Sequence, residues 1–469
     1  MSSILSPSAL SMRRRSFGPR SPTRAAEHRV SRRKVLGAAG LTLPLVACAD
    51  ATPGPASALE SGSGLGLPRS APAAGAIGGP TTLRLIGWPF RPDLLRERLS
   101  AFEASGLNVV VEHEQALRDY GNRAAAAISR DPPVDVVQVR EGLLGLWWSS
   151  GVLRPLGAET AWQATLDAMW PHARASLSID GQVAALPQYS DAMVLAYNRP
   201  MLERLGVAPP RTLEELGDIG ASAVRRGLVE FPLTLNLTPK VFANLPWWAL
   251  VYACGGTMLP TGGVDPVTLS VLTWLRQAIA VDRLVDPAFL ESTYATLALG
   301  KHLFGVVGGY MLKPLNTPAP GTFDIAPVPG LKGPAGTVAW CSAYAVNQAS
   351  PNPELAIALA RFLGAQDDLG QLTSASFWMR TEGLTPAYPA VLDDPGVQSD
   401  VARWANLGVL REVMAQARPL EGQWRPWFIR WENELQTLVQ DAIFGHVEPA
   451  QALATAGQRA TELSAQEPG

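Results

Sequence analysis

Two alternating rhythms of apolar and polar positions run through the chain from about residue 81 onward. Thr82-Leu83-Arg84-Leu85-Ile86-Gly87 alternates with period two and predicts a first strand. Leu95, Leu99 and Phe102 then recur at helical spacing, which predicts a helix over 93–105 with Gly106 placed to end it. The rhythm repeats, with strands expected over 108–111 and 135–139 and helices over 116–130 and 143–150. Strands alternating with helices predict an α/β fold with a parallel or mixed sheet. Further on, 181–187 and 195–198 read as extended segments. Pro210-Arg211-Thr212-Leu213-Glu214-Glu215-Leu216 opens a helix, with Thr212 and Glu215 spaced as a capping box.

Ahead of residue 81 the pattern is different. Arg32, Arg33 and Lys34 run straight into thirteen mostly apolar residues, 35–47, and the run stops at Cys48. A membrane span needs about 20 apolar residues, so this stretch is too short to cross. It fits the apolar core of an export signal behind a basic region. Arg32-Arg33-Lys34-Val35-Leu36 looks like a bacterial twin-arginine signal. Leu45-Val46-Ala47-Cys48 resembles a lipobox, in which Cys48 is lipidated and becomes the first mature residue. An ordinary cleaved signal with a chance cysteine is the alternative, and export by the general route stays open. Residues 49–80 are rich in Gly, Ala, Pro and Ser without periodicity, and read as a flexible tether. The expected layout is thus a signal over 1–47, then a lipidated cysteine and tether over 48–80.

Nine of the 39 basic residues and one of the 41 acidic ones precede Cys48, which leaves 30 against 40 in the mature chain. That acidic balance argues against nucleic acid as a partner. About 390 residues follow the tether, enough for two domains. Besides Cys48 there are only Cys254 and Cys341, and the five histidines show no metal-ligand spacing. No metal and no cofactor is therefore expected. Walker loops, nucleophile elbows and HExxH patterns are missing from the sequence, so no catalytic residue is assigned and an enzyme is not expected.

The order of the short motifs carries more than any one of them. Gly181 to Pro187 fits G-x-x-x-x-L-P, and Tyr197-Asn198 and the Pro210 segment follow. Then come Ala253-Cys254-Gly255-Gly256, Leu299-Gly300-Lys301 with Val306 to Tyr310, and Phe323-Asp324-Ile325-Ala326-Pro327-Val328-Pro329. Pro351-Asn352-Pro353-Glu354-Leu355-Ala356, Gly383-Leu384-Thr385-Pro386, and Gly445 with Pro449 to Leu453 complete the series. This order, over about residues 81–460, resembles the extracellular solute-binding proteins of ABC importers, the family containing the maltose-binding protein. Leu213 departs from the pattern, standing where tryptophan is usual. The resemblance implies an α/β, two-lobed periplasmic-binding-protein fold with crossing hinge segments and a cleft. The N-terminal lobe would comprise 81–190 and 335–380, the C-terminal lobe 191–334 and 381–469. Such lobes close by hinge rotation. Cys254 and Cys341 would then lie in different lobes and remain free thiols, since a bridge needs close Cα atoms.

The same resemblance implies the candidate ligand contacts. Trp88 ends the first strand, Arg140-Glu141 follow the third, and Asp191 follows Leu186-Pro187. Tyr310 stands in the place of a stacking aromatic, Trp340 lies near the second crossover, and Trp424 and Trp427 follow Arg418-Pro419. Each has a bland rival reading as core, cap or surface pair. One of Trp247 and Trp248 is expected to face the core, leaving the other as a weaker candidate. Aromatic platforms with a few placed polar groups suit a carbohydrate. The expected function is a monomeric, membrane-tethered binding protein that delivers a sugar or oligosaccharide to an ABC permease from the outer face of the bacterial membrane. The rivals are the same fold holding a glycerophosphodiester or polyamine, a sensory lipoprotein, and an exported glycoside hydrolase using Glu112 and Asp191.

Overall fold

The computed structural model describes residues 79–116, 119–236, 245–259, 263–287, 293–367 and 369–467. The expected signal, the expected lipid-bearing Cys48 and nearly all of the expected tether lie outside these residues.

The first three strand–helix pairs form close to where the spacing places them. Strand β1 (Thr81–Gly87) turns Leu83 and Leu85 inward, and α1 (Pro92–Glu103) buries the stripe Leu95, Leu99 and Phe102. In β2 (Val109–Gln115), Val109 and Val111 point in while Val110 points out. Helix α2 (Tyr120–Ser129), β3 (Val136–Arg140) and α3 (Glu141–Ser149) follow, α2 starting four residues later than expected. Strand β1 lies between β2 and β3 and runs parallel to both, which requires the intervening helices as crossovers.

Three two-residue strands come next: β4 (Leu153–Arg154), β5 (Ser178–Ile179) and β6 (Gln182–Val183). The long β7 (Leu186–Asn198) is followed by β8 (Leu233–Leu235), β9 (Phe304–Gly308) and β10 (Phe323–Ala326). The last are β11 (Thr337–Asn347) and β12 (Ala417–Arg418). The main sheet is ordered β2-β1-β3-β11-β7-β9-β8, so the two longest strands lie together at its middle, antiparallel to each other. Strand β7 unites two segments that the sequence reading keeps apart. It is buried along both faces for most of its length, so no polar alternation marks its course.

Two apolar cores grow on this sheet. One lies against β1, β2, β3 and β11; the other is built largely by the helices Leu213–Arg225, Leu245–Ala253, Pro266–Ala280, Phe428–Ile443 and Pro449–Ser464. Strand β7 feeds both, sending Ala192, Val194 and Ala196 into the first and Met193 and Leu195 into the second. The capping box is complete: Glu215 donates its N–H to the Thr212 hydroxyl at 3.1 Å, and its carboxylate accepts the Thr212 N–H. Leu213 is buried in the second core. Trp247 and Trp248 are both fully buried, so neither is left over for solvent or solute. Cys254 and Cys341 are free thiols, as expected. Among the described residues no helix is long and apolar enough to cross a membrane.

The cores meet where α3 packs on the start of the helix Phe428–Ile443, and glycine makes the contact possible. A Cβ on Gly142 would sit 2.8 Å from the Ile429 side chain. One on Gly145 would sit 2.5 Å from the carbonyl oxygen of Gln423 and 2.8 Å from Cα of Trp424. Main chain cannot yield as a flexible side chain can. Gly145→Ala should therefore lower stability by about 1–3 kcal/mol through overpacking. Gly121→Ala, whose new Cβ would meet only Leu143 at 3.7 Å, should gain up to about 1 kcal/mol from helix propensity. Equilibrium urea unfolding of the two variants checks both signs.

Candidate functional site

The paired strands β7 and β11 set Asp191 opposite Trp340. Asp191 is wholly buried, and its carboxylate accepts the N–H of Ala192 (2.9 Å), the N–H of Tyr310 (2.9 Å) and the hydroxyl of Thr385 (2.8 Å). Gly309 comes close behind Tyr310: a Cβ on that glycine would lie 2.7 Å from the Asp191 carboxylate. Tyr310 sits in the 3₁₀ turn Gly309–Met311 and meets the Trp340 indole edge-on, with centroids 6.4 Å apart and planes at 86°. Three residues singled out from the sequence thus share one cluster. Burial pushes the Asp191 carboxyl up to about 6, against hydrogen bonds that favour its charged form. Burial, with Asp191 nearby, pushes the Tyr310 phenol up to about 12.

A second cluster adjoins the first along β11. Trp88 follows β1 and is half-buried, its N–H donating to Gln138 at 2.9 Å and its ring lying on Tyr120 with centroids 3.5 Å apart. Arg140 ends β3, is buried, and stands opposite Ser342 of β11. Its charge acts on Glu432 of the helix Phe428–Ile443, whose carboxyl is pushed up by burial and pulled back down by Arg140. Glu141 opens α3, and its side chain lies outside what the structure describes. Trp424 packs on the first core and Trp427 on the second, the latter meeting Trp431 edge-on at 6.2 Å. The indole N–H groups of Trp424 and Trp427 are enclosed without an acceptor among the described residues, a feature shared by the core residues Trp247, Trp248 and Trp378.

Several polar residues of this region escaped the sequence reading. Gln138 of β3, Gln188 of β7 and Ser342 of β11 form one buried network: Ser342 donates to Gln188 at 3.1 Å, and Gln138 donates to both partners. Thr385 lies in the noticed Gly383-Leu384-Thr385-Pro386 motif, yet only the fold brings it to Asp191. Tyr189, beside the Leu186-Pro187 landmark, packs against both cores, as Tyr310 does. A glutamine inside the apolar run Val136-Val137-Gln138-Val139 was the available signal. A buried amide needs partners that a single strand cannot supply.

Residues 97–405, about two thirds of the chain, match the family model of the bacterial extracellular solute-binding proteins. The chain belongs to that family. Among solved structures this solute-binding protein is similar to maltose-bound MalE3 of T. maritima, at 18% identity and TM-score 0.69, covering 82% of this chain and 100% of that one. It is similar to the GacH receptor of Streptomyces glaucescens, studied unliganded and with acarbose, at 18% identity and TM-score 0.68 over 83% and 100% of the two chains. The sugar-binding protein MalE of Xanthomonas citri matches at 16% identity and TM-score 0.70, again over 83% and 100%. At such identities the likeness is one of fold, the two-lobed α/β periplasmic-binding-protein fold.

Two buried titratable groups of this solute-binding protein, Asp191 on β7 and His172 on the helix Pro171–Leu177 that packs against it, have opposite effects on stability. His172 is buried, its Nε2 lies 2.9 Å from the Ser190 hydroxyl, and burial pulls its imidazole down to about 4. Between pH 4 and 6.5 the unfolded chain protonates this histidine and the folded protein does not, so its contribution is lost as pH falls. Asp191 works the other way. Between pH 4 and 6 the folded protein keeps a proton that the unfolded chain has released, so stability is present below pH 4 and lost as pH rises through 6. Asp191→Asn removes that loss. Its stability deficit relative to wild type should shrink by about 3 kcal/mol between pH 4 and 7, read by urea unfolding across that range. His172→Gln should change the pH slope in the opposite sense.

Proposed function

We propose that this protein is the substrate-binding lipoprotein of an ABC importer. It captures a carbohydrate, a sugar or oligosaccharide, by hinge closure and delivers it to a membrane permease. On this reading the lobes are 81–190 with 335–380 and 191–334 with 381–469. Cys48 carries the lipid that holds a monomeric protein at the outer face of the cytoplasmic membrane. The protein then works without a cofactor and performs no chemistry on its cargo.

The observation that carries the reading is the chemistry around the crossing strands. Trp88, Tyr310, Trp340, Trp424 and Trp427 are the aromatic groups of this region, and the polar residues buried beneath them, Gln138, Gln188 and Ser342, are neutral and hydrogen-bonded to one another. The charged groups there are answered within the protein: Arg140 by the field of Glu432, and Asp191 by its ring of donors. A sugar has an apolar C–H face for aromatic stacking and hydroxyls that need paired neutral partners. A phosphodiester favours unspent arginines or helix N-termini, and a polyamine favours several carboxylates among aromatics. Both fit this set less well. Glu141 is retained as a contact, and Asp191 is assigned an indirect part, holding the Tyr310 turn. A hydrolytic carboxylate pair is disfavoured because Glu112 lies on β2, exposed and paired with Arg84 at 3.3 Å. The relatives named above with maltose and acarbose lean the same way.

A thermal-shift screen of the mature protein against mono- and oligosaccharides, glycerophosphodiesters and polyamines tests the proposal. Saturation at 100-fold over Kd should add about 2.7 kcal/mol of stability for a true ligand. A sugar should give the shift, and Tyr310→Ala and Trp340→Ala should each erase it. A shift with a charged solute and none with sugars would overturn the carbohydrate assignment.

A further inference from the structure

Gln138 is an amide in a strand whose every residue is buried. Its Oε1 accepts the N–H of Trp88 at 2.9 Å, and its Nε2 donates to Ser342 Oγ at 3.1 Å and to Gln188 Oε1. Its main-chain carbonyl accepts the hydroxyl of Tyr120, the ring on which Trp88 lies. The residue before Trp88 is a glycine, and a Cβ there would fall 2.9 Å from Gln138 Oε1. The carboxamide therefore occupies the space that a side chain at position 87 would need. Gln188 owes its direction to an irregularity: the β7–β11 register passes from Tyr189↔Ser342 to Pro187↔Ala343, leaving Gln188 as the extra residue of a bulge. Bulges re-aim side chains, and this one aims an amide at Gln138 and Ser342.

Trp88 is thus gripped twice, at its main chain by the Gln138 side chain and on one ring face by Tyr120. Only the other face of the indole is left to receive anything. A leucine at 138 would serve the core at less cost than an amide that needs three partners. We propose that Gln138 and Tyr120 are positioning residues of the solute site, setting the height and tilt of the Trp88 indole without touching the solute. The functional half of this proposal rests on the reading of Trp88 as a solute contact.

The test uses the mature protein labelled with 5-fluorotryptophan, the Trp88 fluorine resonance being assigned by its loss in Trp88→Phe. Gln138→Leu should move or broaden that resonance. Gln138→Glu should restore it, because the carboxylate still accepts the Trp88 N–H while the Gln188 amide turns to donate. Tyr120→Phe, which keeps the ring and removes only the hydroxyl, provides a milder perturbation should Gln138→Leu fold poorly, and it too should displace the resonance. With maltose as the probe, the wild-type Trp88 resonance should shift on addition, and Gln138→Leu should weaken maltose binding by about tenfold, with Gln138→Glu recovering it. A Trp88 resonance unchanged in both Gln138→Leu and Tyr120→Phe overturns the positioning role. A wild-type Trp88 resonance that ignores a sugar which stabilises the protein in the thermal-shift screen, with the variants otherwise behaving as expected, overturns instead the part of Trp88 in sugar contact.

Discussion

Two strands buried on nearly every side must carry polar residues at the place where they cross from one core to the other. That constraint governs the middle of this molecule. A buried donor or acceptor left without a partner costs about 1–3 kcal/mol, and β7 and β11 bring Gln188, Ser190, Asp191 and Ser342 into a region that excludes water. All are answered by partners that reach in from other segments. Ser190 meets His172 and the carbonyl of Trp340; Asp191 meets Tyr310 and Thr385; Gln188 and Ser342 meet Gln138. The crossing is consequently the point to which otherwise independent loops are tied.

These ties explain why residues far apart in the chain form one region. The Trp88 loop is held through Gln138, and the Tyr310 turn through Asp191. The segment carrying Trp424 and Trp427 is fixed from another direction. The Glu421 carboxylate accepts the N–H groups of Met258 and Leu259 at 2.8 and 3.0 Å, and Tyr252 donates its hydroxyl to the carbonyl of Pro419 at 3.1 Å. The Arg418 guanidinium lies over the Tyr252 ring at 4.1 Å. In each case a loop that bears an aromatic is held by a polar side chain next to it, and the aromatic ring is spared that task.

The elements β1, α1, β2 and α2 were legible because one face of each meets solvent and leaves a periodic trace, and β3, buried throughout, was legible as a short valine-rich run. Thr212 and Glu215 were legible because a capping box is local chemistry, complete within four residues. The course of β7 was not legible, since burial on both sides erases the period on which the reading depends, and a bulge at Gln188 interrupts the register. Trp247 and Trp248 misled for a related reason: adjacent residues on an exposed helix face different ways, but the helix Leu245–Ala253 is buried all round. The cluster of Asp191, Tyr310 and Trp340 was reachable through the order of motifs. The amide network was not, because its logic is that of three strands meeting, and no single stretch of sequence contains it.

Arg140 and Asp191 look alike in the sequence, as charged residues at the ends of strands near a cleft, yet the fold uses them differently. The Asp191 carboxylate accepts three hydrogen bonds, from Ala192, Tyr310 and Thr385, each on a different segment. Arg140 instead stands at the junction where α3 meets the helix bearing Glu432, whose carboxyl burial pushes up and the Arg140 charge pulls back down. Buried ion pairs contribute little net stability, because desolvation offsets their attraction, but separating the partners is costly. The fold thus ties Asp191 into the crossing through Tyr310 and Thr385, and sets Arg140 against Glu432 where the two cores meet.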